Sequence, residues 1–128
     1  MKKVQILLLL VLIINFCGCS SFNTVRLNEY SFEGDYVYTN NSGTQLAAVI
    51  DGKTLELIIG VGGEFHKELS SYFTIVKENN GRFYLYQNEK AEGEIEYIDD
   101  GIVKIDFFGS NTMDGMYYSD DSLNTRIV

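Results

Sequence analysis

The chain holds one histidine, two cysteines and eighteen carboxylates, and their spacing decides which chemistries are open to it. His66 stands between Glu64 and Glu68, on one face if the segment is a strand. A metal or general-base site needs further ligands or a positioned partner at suitable spacing, and none lies nearby, so His66 reads as a surface residue beside a turn. Glu92, Glu94 and Glu96 recur with period two. Paired carboxylates do acid–base work when a cleft drives their pKa values apart. These alternate with Ile95 and Tyr97, the pattern of a solvated outer face. Gly60-Val61-Gly62-Gly63 lacks the following Lys-Ser/Thr and the opening helix that a phosphate loop requires, and it reads as a bulge or flexible loop. Asp99-Asp100-Gly101 and Asp120-Asp121 lack the alternating oxygen ligands and bidentate Glu of a calcium loop. Asp99-Asp100-Gly101 is better explained as a turn, and Asp114 beside Gly115 carries no signal of its own. The sequence therefore points to no catalytic residues, no metal and no enzyme.

The two cysteines sit in Phe16-Cys17-Gly18-Cys19, at the end of an apolar run from Val4 to Ile14 that follows Lys2 and Lys3. A positive start and a short apolar core form an export signal. A run of roughly a dozen residues, at about 1.5 Å each, falls well short of the ~30 Å bilayer core, which argues against a permanent span. The tetrad resembles the lipobox of bacterial lipoproteins, with Phe16 where Leu is commoner, Cys17 and Gly18 in the next two places and Cys19 as the acylated Cys. The resemblance covers residues 1–21, including Ser20-Ser21. It implies a signal-peptide helix removed as residues 1–18, diacylglycerol on the Cys19 thiol, fatty acyl (palmitate-type) chains as the membrane anchor, and no other cofactor. Two or more chains make such an anchor stable. Ser20 is not the Asp that marks inner-membrane retention in enteric lipoproteins, so an outer membrane is the implied location where the cell has one.

Removal of residues 1–18 leaves 110 residues with eight Lys/Arg against eighteen Asp/Glu, a formal charge of −10. That is one small domain, with no free thiol once Cys19 is a thioether. Its acidity disfavours nucleic acid and offers no basic patch to anionic lipid, leaving the acyl chains as the membrane contact. Residues 19–29 read as the lipidated Cys and a short tether, and 30–128 as the folded domain.

From Tyr30 onward, short alternating runs are split by turn residues. Leu46, Ala48 and Ile50 share a face, as do Leu55, Leu57 and Ile59, with Asp51-Gly52 between them predicting a type I′ hairpin. Phe73 and Ile75 share a face in a run from about Ser70 to Lys77. Asn79-Asn80-Gly81, Glu89-Lys90-Ala91, Asp99-Asp100-Gly101 and Gly109-Ser110-Asn111 read as further turns. Val103, Ile105 and Phe107 point one way, Lys104 and Asp106 the other. Met113 to Ser119 is the last clear strand, and Thr125 to Val128 is a candidate edge. The expectation is an all-β, up-and-down antiparallel meander of about eight strands, as a small closed barrel or a strongly curled sheet. Phe32-Glu33-Gly34-Asp35-Tyr36 is similar to the Gly-x-aromatic start of lipocalin-like barrels, matched at Gly34 and Tyr36. That resemblance implies a small apolar ligand in the barrel, in a cavity lined by Leu57, Phe73, Phe83, Ile95 and Phe107.

Nine Tyr and seven Phe in the mature chain exceed what a core of this size needs. Tyr84 and Tyr86 oppose Phe83 and Leu85, and Tyr117-Tyr118 must point to opposite faces. Exposed tyrosines favour interfaces, which makes Tyr36, Tyr38, Tyr84, Tyr86 and Tyr118 the expected contact surface. The sequence thus describes a lipid-anchored, extracytoplasmic binding protein of the cell envelope that docks an envelope, host or toxin protein. The other reading is a lipocalin-like carrier of a small apolar ligand.

Overall fold

A computed structural model describes residues 32–128. The signal peptide, the Cys19 lipidation site and the tether expected over residues 1–29 lie outside the described residues.

The alternating runs become eight antiparallel strands: β1 (Gly34–Thr39), β2 (Gln45–Asp51), β3 (Thr54–Val61), β4 (Glu64–Lys77), β5 (Phe83–Gln87), β6 (Lys90–Asp99), β7 (Ile102–Phe107) and β8 (Gly115–Ser119). Each pairs with the next and β8 returns to β1, so the meander is a closed barrel rather than a curled sheet. The turns differ in detail from expectation. Between β2 and β3 the two-residue loop is Gly52-Lys53, and only Gly52 takes a positive φ, 60°, so the turn is not type I′. The two loops with positive φ at both positions are Gly62-Gly63 and Asn88-Glu89, where the sequence suggested a flexible loop and a polar turn one residue later.

Eight strands enclose a space that side chains can fill. Leu46, Ala48 and Ile50 from β2, Leu55 and Leu57 from β3, Phe73 and Ile75 from β4, Leu85 from β5, Ile95 from β6 and Val103, Ile105 and Phe107 from β7 form one buried cluster with Phe32, Tyr36 and Tyr117. Phe83 packs against it. Each of these strand positions follows the period-two alternation that puts one face inward.

The two ends of the barrel are stoppered by the same device. Phe32 meets Phe83 edge-on at one end, ring centroids 4.9 Å apart, and the Tyr36 hydroxyl donates to the Phe32 carbonyl at 2.9 Å. At the other end Tyr38 stacks on Tyr117 at 4.9 Å, and the Tyr117 hydroxyl donates to the Met113 carbonyl at 2.7 Å. The segments Phe32-Glu33-Gly34-Asp35-Tyr36 and Met113-Asp114-Gly115-Met116-Tyr117 therefore share one pattern: an apolar residue, an acid, Gly, any residue, then Tyr. The glycine is required in both. Gly34 and Gly115 have φ of 149° and 156°, and a Cβ on either would strike a tyrosine ring, Tyr36 at 3.2 Å or Tyr38 at 2.5 Å. Only a residue without Cβ combines that backbone with that approach.

β4 begins well before the expected run at Ser70. Leu57 faces Ser71, but Ile59 faces His66, so a bulge of three extra residues opens opposite Ile58. Bulges bend a strand and re-aim its side chains. Here the bulge turns Phe65 to the outside of the barrel, where it joins Ile58, already outward by its alternation with Leu57, and Ala47 and Leu123 in a second buried cluster flanked by Val37, Val49 and Ile127. Ile59, expected inside with Leu55 and Leu57, is 38% exposed near the tip of this hairpin.

The C-terminal segment covers the second cluster. Asp120 accepts from the Ser122 amide at 2.9 Å and the Ser122 hydroxyl at 2.6 Å, and its carboxylate pairs with Arg126. A 3-10 turn over Leu123–Arg126 then lays Leu123, fully buried, into the cluster. Ile127 forms a parallel bridge with Phe65. The Val128 amide donates to the Phe65 carbonyl at 2.8 Å, and the Lys67 amide donates to the Val128 carbonyl at 3.1 Å. The expected C-terminal edge is thus a single bridge and a strap, set against a part of β4 that β5 does not pair with.

Candidate functional site

The five tyrosines expected to form a contact surface do not share one environment. Tyr36 is 3% exposed. Its ring lies over Gly34 and its hydroxyl is used internally, so it belongs to the core and not to a surface. Tyr38 is half-buried on the inner face at a barrel mouth. Tyr84 and Tyr86 are half-buried on the outer face of β5, each held by its hydroxyl: the Asn80 amide donates to Tyr84 at 2.9 Å, and Tyr86 donates to the Glu78 carboxylate. Tyr118 stands outside, 55% exposed, directly opposite Val37 on β1 and Ile102 on β7.

Three exposed rings and one thioether escaped the sequence reading. Phe108 is 60% exposed, Tyr72 54%, Tyr97 44% and Met116 37%. The signal for two of them was present. Tyr72-Phe73, Phe83-Tyr84, Phe107-Phe108 and Tyr117-Tyr118 are aromatic doublets on strands, and neighbours on a strand point to opposite faces. In each doublet one ring joins or packs against the barrel core and the other stands outside. Phe108 approaches Tyr84 at 6.3 Å between centroids.

Charges punctuate the outer face around Tyr84 and Phe108, whereas Tyr97 shares the inward register of Ile95 opposite Val103. Glu94 lies opposite Tyr84 and Asp106 and 3.5 Å from Arg82. Glu96 lies opposite Lys104. The carboxylate row of β6 is therefore an outer face with cationic neighbours, as its alternation implied. His66 is 3.3 Å from Glu68. Among the described residues no group of three or more His, Cys, Asp or Glu could hold a metal ion.

Glu56 is the buried acid that sequence reasoning passed over. It is 8% exposed on the outer face of β3. Tyr72 donates to one carboxylate oxygen at 3.0 Å and Lys67 to the other at 3.2 Å, so it clasps β4 on both sides of the bulge. Burial alone would raise its pKa, but the nearby Ser70 hydroxyl, the hydrogen bonds from Lys67 and Tyr72 and the Lys67 charge outweigh it and hold the carboxyl below its ordinary range. A carboxyl with a lowered folded-state pKa stabilises the fold above its unfolded value, and that contribution disappears as pH falls through the folded value. Glu56→Gln should therefore lower stability at neutral pH and flatten its decline below about pH 4.3. Urea midpoints measured at pH 7 and through the acid range check this.

Two recesses accompany these surfaces. One, of about 370 Å³, is lined by Glu78, Asn79, Asn80, Tyr84 and Ala91 beside the β4–β5 turn. The other, of about 290 Å³, lies at the mouth where Tyr38 stands, between the β1–β2 and β7–β8 loops.

The sequence matches no family model, and neither a curated protein nor a solved structure matches it significantly.

Proposed function

We propose that this chain is a lipid-anchored, extracytoplasmic binding protein of the cell envelope, held in the membrane by acyl chains on Cys19, that docks a protein partner and performs no catalysis. The observation that carries the docking role is the division of the aromatics. Leu57, Phe73, Ile95 and Phe107, the side chains a carrier would need around a ligand, pack against one another in a single cluster, while Phe108, Tyr118 and Tyr72 stand more than half exposed on the outside. Large exposed rings beside charges resemble the composition of protein interfaces. That packing supports docking over a lipocalin-like carrier. The anchor rests on the lipobox resemblance at Phe16-Cys17-Gly18-Cys19.

The test has two arms. Labelled palmitate fed to the source cells should enter the wild-type protein and leave Cys19→Ser unlabelled and shifted out of the membrane fraction. Equal labelling of the variant rejects the anchor. Photo-crosslinking side chains placed at 108 and 118 of the anchored protein should each yield a discrete protein adduct, and the adduct at 108 should be lost with Tyr84→Ala, whose ring lies beside Phe108. Placed instead at Glu33, on the outside of a strand end, the same group should yield none. Identical adducts from all three positions reject the docking surface.

A further inference from the structure

The geometry points to the recess at the Tyr38 mouth as a binding site for a neutral saccharide. β1 runs from the Phe32 end of the barrel to this one, so the mouth is at the opposite end from the point where the described chain begins. Its walls are Asn40, Asn41 and Ser42 from the β1–β2 turn and Asn111 and Thr112 from the β7–β8 loop, with the half-buried Tyr38 among them.

The recess is built by one residue. The Asn40 amide nitrogen donates across to the Thr112 carbonyl at 3.2 Å, joining two loops far apart in sequence. Its amide oxygen accepts from the Ser42 amide at 3.1 Å, the Ser42 hydroxyl at 2.8 Å and the Thr44 amide at 2.9 Å. The Thr112 and Ser110 hydroxyls bond each other at 2.9 Å. Tyr38 is fixed by its stack on Tyr117 and by the absence of a Cβ at Gly115. The loop backbones and the Tyr38 ring are therefore set before any ligand arrives, and only the Asn41 and Asn111 side chains have to be ordered on binding.

The side chains of Asn41 and Asn111 take no part in this framework, and among the described residues neither they nor the Tyr38 hydroxyl has a hydrogen-bond partner within the chain. Each primary amide offers donors and an acceptor at one point, which suits hydroxyl groups that also both donate and accept. No Asp, Glu, Lys, Arg or His lines the recess, in a chain of formal charge −8. An anion would find no cation to pair with, and a cation no carboxylate. A wholly apolar ligand would leave the amides unpaired at a cost of about 1–3 kcal/mol each. A neutral, hydroxyl-rich molecule with one C–H face for the Tyr38 ring meets all three conditions. The volume is near the lower end of ligand pockets, roughly 300–1,000 Å³, which fits one or two sugar rings. Neither Phe108 nor Tyr118 lines the recess, so substitutions at Asn41 and Asn111 test it apart from partner docking.

The test is saturation-transfer NMR on the mature lipidated chain in nanodiscs, with empty nanodiscs as blank and N,N′-diacetylchitobiose, maltose and cellobiose as probes. At least one probe should receive saturable transfer. The double variant Asn41→Ala/Asn111→Ala, confined to exposed side chains outside the framework, should weaken it at least tenfold. Asn79→Ala, at the other recess, should leave it unchanged. Transfer to none of the three probes, or transfer undiminished in the double variant, overturns the proposal.

Discussion

Phe65→Ala should remove about 3–5 kcal/mol from the stability of the domain, measured as a shift of the urea unfolding midpoint. Phe65 is fully buried although it lies outside the barrel, where its ring is enclosed by Ala47, Ile58 and Leu123 and capped by the Arg126 guanidinium at 5.2 Å. Collapse to refill the space is limited. Gly60 lies directly against the ring, so close that a Cβ there would sit 2.9 Å from it, and the strap above is held to β4 by two backbone hydrogen bonds. A domain of this size has about 5–15 kcal/mol in total, so the variant would be marginal. A shift under about 1 kcal/mol would mean that the strap is not packed on the barrel as described, because an exposed aromatic costs little to remove.

Tyr117→Ala should have a comparable effect, about 3–5 kcal/mol, and Tyr117→Phe a smaller one, about 1–2 kcal/mol, for the lost bond to the Met113 carbonyl. The ring is fully buried, and burial, with Tyr38 and Asp114 nearby, pushes its hydroxyl pKa far above the ordinary value of 10.0. The sign follows from linkage. The unfolded chain ionises this group first, so stability present below about pH 10 is lost as pH rises beyond it. Tyr36, raised chiefly by burial, adds to the same trend. Ultraviolet titration should show both phenols ionising only together with unfolding, and Tyr117→Phe should flatten the decline of stability above about pH 10. Ionisation of the full tyrosine complement before any loss of structure would contradict the burial of these two rings.

The barrel was legible because long parts of its strands keep period two. Leu46-Ala47-Ala48-Val49-Ile50 and Val103-Lys104-Ile105-Asp106-Phe107 place every other side chain inward with no exception. The second cluster was not legible, because no period links its members. Phe65 points outward only after a bulge that inserts three residues, and the stretch Glu64–Ser70 carries too mixed a polarity to announce a strand. Leu123 sits in a polar tail that looks like a loop until its carboxylate cap and its Arg are seen to close a turn. Burial of Tyr36 goes against the alternation that put it on a contact surface, because the missing side chain at Gly34 leaves the space into which the ring folds. Its counterpart, Met113 to Tyr117, carries the same spacing. Either pentad alone is too short to be noticed, and only the shared tyrosine-to-carbonyl bond shows that they are equivalent. The mouth recess was illegible for a further reason. Asn40 and Thr112 are brought together by the meeting of β1 and β8, which no local pattern foretells.

That meeting has a consequence for how the protein can be recognised. A meander that failed to close would present β1 and β8 as open borders, and the overhang of β4 beyond β5 would present a third. An open border invites another chain to add a strand, and such binding reads mostly backbone, with little regard for sequence. Here β8 takes up β1 and the strap takes up β4. Among the described residues, the proposed docking surface and mouth site thus offer mainly side chains, the rings outside the barrel and the amides at its mouth. A partner's choice is then set by the chemistry of a few groups, and a single substitution among them can change it.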